Sequence, residues 1–515
     1  MIIANALNLK GIFNYIRKAF ASIGLAERFL LFLLLVVCVR PLLDPDFGWH
    51  LRSGTDLLKN LSVPKFDPYS YTLPDYHWVN FEWLTDGVVA FVYQNWGALS
   101  LSILFALLIG GAFLLAASLE KTALKYKILA ALVAILASLP ILGVRMQMVT
   151  LLGMALILWI LYRWRRGEIK TIWWLPIIFL VWTNLHAGFA TGLLIMAVFF
   201  VVELIKYLAL LWWPKIYKRL HIAEAALSAN QLKSLLWVGL ASGAATLVNP
   251  YGWGLHYDFY KFMTNPFAIP NIAEWQPVVF SHPISYNFII YIVLFATVLL
   301  LAYRKIEPTR WVVTGLFLVL SLMYWRNMPF FMLMSTGFLA EMIQEHTHLV
   351  FDKLLKKRWI LLTLVVIVSI LAAQRISDVG SGAGGPTKRL GEAGYPIAAI
   401  NWAKANPDKI GAHMLNEYGW GGLIIWQFPE QRVFIDGRMP HWQVDNRFVF
   451  YDEEYFISAH PGAVEAMEKK YGIDWVFIQP DRPLALVLSG RDDWEKVYGD
   501  GVAVIYRKVP PSNVE

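Results

Sequence analysis

The sequence has a single cysteine, Cys38, inside its first apolar run, so no intramolecular disulfide forms and thiols say nothing about compartment. Charge is scarce: 16% of residues are Asp, Glu, Lys or Arg, against about 25% in an average soluble domain. There is no Walker-type phosphate loop, no dinucleotide fingerprint and no Cys/His zinc spacing, which argues against a nucleotide- or zinc-dependent enzyme. A cleavable signal is not expected either. The first apolar run begins near Glu27, after a basic lead of Lys10, Arg17, Lys18 and Arg28, with no small-residue cleavage site behind it. What is abundant is apolar surface. The 515 residues are 57% hydrophobic with mean hydropathy +0.50, the composition of an integral membrane protein. The net charge of +8 does not point to nucleic acid, because the basic residues form short clusters between apolar segments, a pattern of membrane topology.

Runs of about 15–25 apolar residues predict about eleven spans, over 28–43, 97–119, 128–144, 147–163, 171–185, 187–207, 234–250, 286–303, 310–325, 328–344 and 358–374. With the N-terminus inside, the segments on the cytoplasmic side carry most of the Lys and Arg, among them Lys121, Lys125, Arg163, Arg165, Arg166, Lys215, Lys218, Arg304, Lys305, Lys353, Lys356 and Lys357. The other side holds only Arg40, Arg52, Lys59, Lys65, Arg145, Lys261 and Arg326. By the positive-inside rule this orients the chain in a plasma (inner) membrane, and an odd span count puts residues 375–515 outside the cytoplasm, in the periplasm.

Two outer loops stand out, at about 44–96 and 250–286. The first opens on Asp44-Pro45-Asp46-Phe47-Gly48-Trp49-His50, two carboxylates and a histidine beside a span, and ionisable groups so placed usually mark a site. Its second half (Trp78, Phe81, Trp83, Phe91, Tyr93, Trp96) has the spacing of an interfacial amphipathic helix. The other carries Asn249-Pro250-Tyr251-Gly252 and Glu274-Trp275-Gln276-Pro277, a folded loop tolerated near the membrane where it lines a cavity. Asp44, Asp46, His50, Arg52, Glu82, Asp86, Arg145, His186, Glu274 and Arg326 are all predicted at the outer face. Singly, each has a plain structural role. Asp46 would cap a helix starting near Gly48, Arg145 and Arg326 would snorkel to head groups, and His50 or His186 would hydrogen-bond locally. As a set they predict one polar cavity.

No nucleotide is supplied at that face, so the chemistry suited to the cavity uses a lipid-linked donor. Arg145, Arg326, His50 and His186 would neutralise its phosphate, and Asp46 or Asp44 would take a proton from an acceptor hydroxyl. Glu82 and Glu274 would position the acceptor, and Asp46 with Glu82 would help hold a divalent Mg or Mn ion.

The string DPDFGWHLRSG, then FDPYSYT and WVNFEWL, resembles the first outer loop of bacterial membrane proteins of the GT-C glycosyltransferase superfamily, a group related to protein-mannosyltransferase-like enzymes. Its members often read DPDxWWHLxxG, DPFSYT and HEWL. Arg145-Met146-Gln147, Trp182-Thr183-Asn184-Leu185-His186-Ala187-Gly188, Asn249-Pro250-Tyr251-Gly252, Glu274-Trp275, Arg326-Asn327-Met328-Pro329, Tyr418-Gly419-Trp420-Gly421-Gly422 and Phe434-Ile435-Asp436-Gly437-Arg438 continue the match. The sequence departs from the group at Gly48, usually Trp, and at Asn80, often His. The resemblance implies an inverting glycosyltransferase with a polyprenyl-phosphate sugar donor and an essential acid in the first outer loop. Carried across, that acid is Asp46 or Asp44, with Asp46 favoured. His50 and Glu82 share its pocket, and Arg52, Arg145, His186, Glu274 and Arg326 bind donor phosphate or substrate.

The expected fold is thus a polytopic α-helical membrane domain, GT-C-like, over 1–374, followed by an extracytoplasmic α/β domain over 375–515. The change comes at a linker rich in glycine (Gly380, Gly382, Gly384, Gly385). Strands are predicted at 413–416, 423–426, 432–436, 475–479 and 502–507, and helices near 395–405 and 461–471. Asp436-Gly437-Arg438 reads as a turn with an internal Asp–Arg pair more readily than as a ligand site. Expected partners are a polyprenyl-phosphate sugar, an acceptor that is protein, glycan or lipid, and membrane lipids, with no nucleic acid. Two other functions fit the sequence: a lipid-linked glycan transporter or flippase, and a non-catalytic scaffold or sensor.

Overall fold

The computed structural model describes residues 23–219, 226–266, 268–302, 307–355, 357–380, 385–444 and 447–509. Of the features singled out above, Lys10, Arg17, Lys18, Arg304, Lys305, Lys356, Gly382 and Gly384 lie outside the described residues.

The membrane part contains α1 (Leu25–Cys38), α2 (Phe47–Asn60), α3 (Trp83–Ala117), α4 (Leu124–Ser138), α5 (Met148–Arg165), α6 (Leu175–Leu185) and α7 (Phe189–Trp212). It continues with α8 (Ala229–Ala245), α9 (Trp253–Met263), α10 (Tyr286–Ala302), α11 (Pro308–Met323), α12 (Met328–Leu355) and α13 (Arg358–Asp378). Each of the predicted apolar runs falls on one of these helices. Four of them, α3, α5, α7 and α13, are long and apolar enough to cross a membrane, and α6, α10 and α11 are shorter apolar helices. Large apolar side chains such as Leu107, Ile205, Leu300 and Leu362 remain exposed on them, as a lipid-facing surface requires.

Helix α3 is the central element and packs against α1, α2, α4, α5 and α12. Its first half, 83–96, is helical, as the spacing of its aromatics predicts. Gly97, at φ 76°, breaks the helix there and redirects the chain into the apolar half, a turn that only glycine makes without strain. Helix α2 lies tightly on this first half because Gly54 has no Cβ to strike the Asp86 carbonyl.

The C-terminal domain holds α14 (Gly385–Glu392), α15 (Ile397–Ala405), α16 (Gly421–Gln427), α17 (Val449–Ile457), α18 (Ala463–Tyr471) and α19 (Pro483–Ser489). Its strands are β1 (Met414–Asn416), β2 (Gln443–Val444), β3 (Arg447–Phe448), β4 (Trp475–Ile478), β5 (Trp494–Gly499) and β6 (Val504–Lys508). Four form a sheet in the order β1-β4-β6-β5, with β1 parallel to β4 and the rest antiparallel, while β2 and β3 make a separate hairpin. Residues 423–426, expected as a strand, are the buried helix α16 instead. A short run apolar on every side carries no period that separates the two. Residues 432–436 do not join the sheet either: Val433 bridges Ser70 of the first outer loop. Strand β5 escaped prediction because its side chains are mostly exposed.

The first outer loop packs as part of this domain, since Trp49, Tyr69 and Trp78 belong to the same buried cluster as Leu423, Ile435 and Trp442. Backbone meets backbone where they join. A Cβ on Gly48 would strike the Gly422 carbonyl, and one on Gly422 would strike the Pro45 carbonyl. This explains the departure from Trp at position 48: nothing larger than glycine lets α2 and α16 approach so closely. Phe47 and Trp426 close the contact edge to face, 5.6 Å between ring centres.

Candidate active site

Asp46 sits at the N-cap position of α2, but its carboxylate makes no capping hydrogen bond. Its amide donates to Asp44 Oδ1 at 2.9 Å, and the carboxylate points under the 436–438 turn, where a Cβ on Gly437 would meet it. Loss of water, then repulsion from Asp44, pushes the Asp46 pKa up to about 6, with His50 and Arg145 pulling the other way. Asp44 itself is engaged: it pairs with Arg145, whose Nη2 also holds Glu274 Oε1 at 2.5 Å. That pair of contacts ties the first outer loop, the α4–α5 connection and the second outer loop together.

Glu82 occupies the N-cap position of α3, also without capping. Burial, then the negative charges of Asp86 and Asp46, push its pKa up to about 7 against the pull of His50 and Arg326. Behind it, His50 Nδ1 lies 2.7 Å from Asp86 Oδ1. Burial opposes the imidazolium, but Asp86 outweighs it and raises the His50 pKa. Asn80, the second departure from the group pattern, donates from Nδ2 to Asp86 Oδ2 at 2.7 Å and to Ser53 at 3.0 Å, so it holds Asp86 against His50.

His186 ends α6. The Gly188 amide donates to its Nδ1 at 2.8 Å, and Thr150 Oγ1 is 2.9 Å from the same nitrogen, which places the ring proton on Nε2. That nitrogen faces Glu82 Oε1 at 3.6 Å. Burial, then the nearby Arg326, lowers the His186 pKa to about 3, so the ring is neutral. Arg326, on the 325–327 turn, donates from Nη2 to Gln147 Oε1 at 2.8 Å and lies 4.6 Å over the Trp275 ring.

While Asp44, Arg145 and Glu274 line a separate cavity of about 240 Å³, one of about 420 Å³ is lined by Glu82, Gln147, His186, Trp275, Arg326 and His441 among others. Of the residues expected from the sequence, Asp46, His50, Glu82, Asp86, His186, Arg145, Glu274 and Arg326 are brought together at and around it. Arg52 is not: it donates to Asp56 at 2.9 Å, one turn along α2, and stacks toward Tyr69.

Residues that the sequence reading did not put at the site include Gln147, before α5, and several from the C-terminal domain. Arg438 donates from Nε to Asp436 Oδ1 at 2.7 Å, from Nη2 to Asp436 Oδ2 at 2.6 Å, and from Nη1 to Asp67 Oδ1 at 2.7 Å. The internal Asp–Arg pair expected of this turn is present, and it reaches the first outer loop as well. The rings of Tyr69, Trp78 and Trp442 surround the guanidinium. Burial works against its charge, yet the two carboxylates hold the Arg438 pKa above its usual value. Tyr418 also faces this region: burial, then Asp46 and Asp436, raise its hydroxyl well above the ordinary range. The Asp-Gly-Arg sequence marked a turn, but no local signal tells which distant acid an arginine will reach.

Neither a protein-family model nor a curated protein sequence matches the chain. Solved structures do. The archaeal oligosaccharyltransferase AglB from Archaeoglobus fulgidus, in complex with an inhibitory peptide and a dolichol-phosphate, superposes with TM-score 0.51 at 15% identity, over 88% of this chain and 69% of that one. The apo form of the Archaeoglobus fulgidus enzyme gives 0.51 at 14%, over 89% and 70%. The form tethered by a disulfide bond to an acceptor peptide containing the NVT sequon gives 0.52 at 14%, over 88% and 68%. At such identity the likeness is one of architecture: this chain shares its fold with the archaeal oligosaccharyltransferase.

Proposed function

We propose that the protein is an inverting membrane glycosyltransferase that moves a sugar from a polyprenyl-phosphate donor to an acceptor hydroxyl at the outer face of the membrane. Eleven spans, a cytoplasmic N-terminus and an extracytoplasmic C-terminal domain go with this reading, as does membership of the bacterial group whose motifs the sequence resembles. The observation that carries it is the convergence of Glu82, His186 and Arg326 from separate elements on one cavity, with Asp46 near enough to act electrostatically on Glu82 and Arg326, in a chain with this fold.

Asp46 is the base in preference to Asp44, because Asp44 is spent on Arg145 while the Asp46 carboxylate has no cap to make. The acceptor O–H gives its proton to Asp46. The oxygen then attacks the anomeric carbon, and the bond from that carbon to the phosphate oxygen breaks with its electron pair going to the leaving polyprenyl phosphate. Arg326 meets the charge that develops there. Arg145, held by two carboxylates, instead fixes the second outer loop.

A divalent ion would be held by Asp46 and Glu82 together with the substrate phosphate. Among the described residues there is no group of three or more His, Cys, Asp or Glu that would hold one, and His186 presents a protonated nitrogen. Asp46 and Glu82 remain, and Mg²⁺ commonly takes one or two carboxylates plus substrate phosphate oxygens. Bound there, it would neutralise the phosphate.

Asp46→Asn tests the assignment. It should cut transfer by about 10²–10⁴-fold, the usual share of a general base, with the thermal midpoint unchanged. Activity close to wild type in that variant would overturn it.

A further inference from the structure

The cavity contains polar atoms that the proposed transfer step leaves unused. Gln147 is 7% exposed. Its Oε1 accepts from Arg326, but its Nε2 has no hydrogen-bond partner. His441 reaches the cavity from the C-terminal domain with its side chain 7% exposed, and neither ring nitrogen makes a hydrogen bond. Asp258 Oδ2 stands 3.4 Å from its Nε2, out of hydrogen-bonding geometry. The indole N–H of Trp275 is likewise buried and unpartnered. Native proteins seldom leave buried polar groups unpaired, and these three line the same space.

Their chemistry restricts what answers them. None carries a fixed charge, so they are poorly suited to a phosphate, which Arg326 serves. An amide N–H and an indole N–H donate, and a neutral imidazole donates from one nitrogen and accepts at the other. A group that both accepts and donates at several points, and presents apolar C–H faces between them, is a sugar. Aromatic rings supply the matching faces: Phe262 and Tyr324 stand edge-on to Trp275 at 5.9 and 5.4 Å, and Phe262 also meets His441 at 5.8 Å. Gln147 fixes the order of the parts, since its Oε1 holds the phosphate-binding Arg326 while its Nε2 is buried without a partner. The cavity's 420 Å³ lies near the lower end of the roughly 300–1,000 Å³ of ligand pockets, which suits one sugar better than a long glycan.

We propose that Gln147, Trp275 and His441 form the subsite that reads the hydroxyls of a single sugar on the lipid donor. This rests on the glycosyltransferase reading. It makes the C-terminal domain, through His441, a determinant of which sugar is taken.

The test measures binding of polyprenyl phosphate, and of the same lipid carrying glucose, mannose, galactose or N-acetylglucosamine, to the purified full-length protein. Wild type should bind at least one sugar-bearing lipid about tenfold or more tightly than the bare phosphate, as expected when several neutral hydrogen bonds are added. His441→Phe and Trp275→Phe keep an aromatic ring and remove the polar atoms, in two separate parts of the chain. Each should reduce that preference to about threefold or less while the affinity for bare polyprenyl phosphate stays as in wild type. A sugar preference that survives in both variants, or no preference among the four sugars in wild type, overturns the subsite. Failure of wild type to bind any of the five lipids overturns the glycosyltransferase reading beneath it.

Discussion

Arg438 joins three parts of the sequence, and its removal has a calculable cost. The side chains of Asp67 and Asp436 are 0% exposed and that of Arg438 is 1% exposed. With the arginine present, this buried group carries one net negative charge; without it, two carboxylates face each other in an apolar surround of Tyr69, Trp78 and Trp442. Removing one partner of a buried ion pair typically costs about 3–5 kcal/mol, because the remaining charge is left uncompensated. Arg438→Met keeps most of the stem's packing and should destabilise the protein by that amount, measured as the denaturation midpoint of the purified protein. Asp67→Asn keeps a hydrogen-bonding side chain and leaves Arg438 paired with Asp436, so its loss should be much smaller. Acid provides a second measurement. Burial opposes the Asp67 charge, but Arg438 outweighs it and holds the pKa below the usual carboxylate value. A depressed folded-state pKa means that the stabilisation is complete above the unfolded carboxylate pKa and fades as pH falls through the lower value. Arg438→Met should therefore lose less stability in acid than wild type does. An Arg438→Met midpoint equal to wild type at neutral pH would refute the reasoning.

Gly437→Ala places a methyl against the Asp46 carboxylate. It should cost about 1–3 kcal/mol from overpacking and lower transfer by about 10²-fold through displacement of the base, whereas Gly419→Ala, with nothing within 4 Å of its Cβ, should change neither the midpoint nor the rate. Burial, then the charge of Glu417, pushes the Glu453 pKa from 4.5 up to about 8. A raised acid binds more protons folded than unfolded, so its contribution to stability falls as pH rises from 4.5 towards 8. Glu453→Gln should accordingly raise the denaturation midpoint at pH 8 and not at pH 4.5, and an equal gain at both would count against that assignment.

The helices of the membrane part were legible because a run of apolar residues long enough to face lipid has few alternatives, and each predicted run found its helix. Most of the acids and bases predicted at the outer face were legible for the same reason: their cost beside a bilayer demands a use. Arg52 misled because its neighbours on α2 turn a different side toward the cavity, and the chain alone does not say which side a short amphipathic helix buries. Residues 423–426 misled because a short, wholly apolar run has no period to distinguish helix from strand. His441, Gln147 and the Asp67–Arg438 contact depend on which segments meet across hundreds of residues. Composition and spacing carry no record of such meetings until packing brings them about.

The glycine contact between α2 and α16 also bears on how the protein is made. Gly48 leaves the ribosome long before Gly422, and at about 5–20 residues per second the intervening chain takes on the order of tens of seconds to appear. Through that interval Phe47 and Trp49 lack the partners that later cover them, and Asp46 lacks the turn that closes over it. The carboxylate proposed as the base is thus enclosed only once residues 436–438, far along the chain from the first outer loop, have been made. A nascent chain that has passed α13 but not yet reached the 436–438 turn still has no finished site.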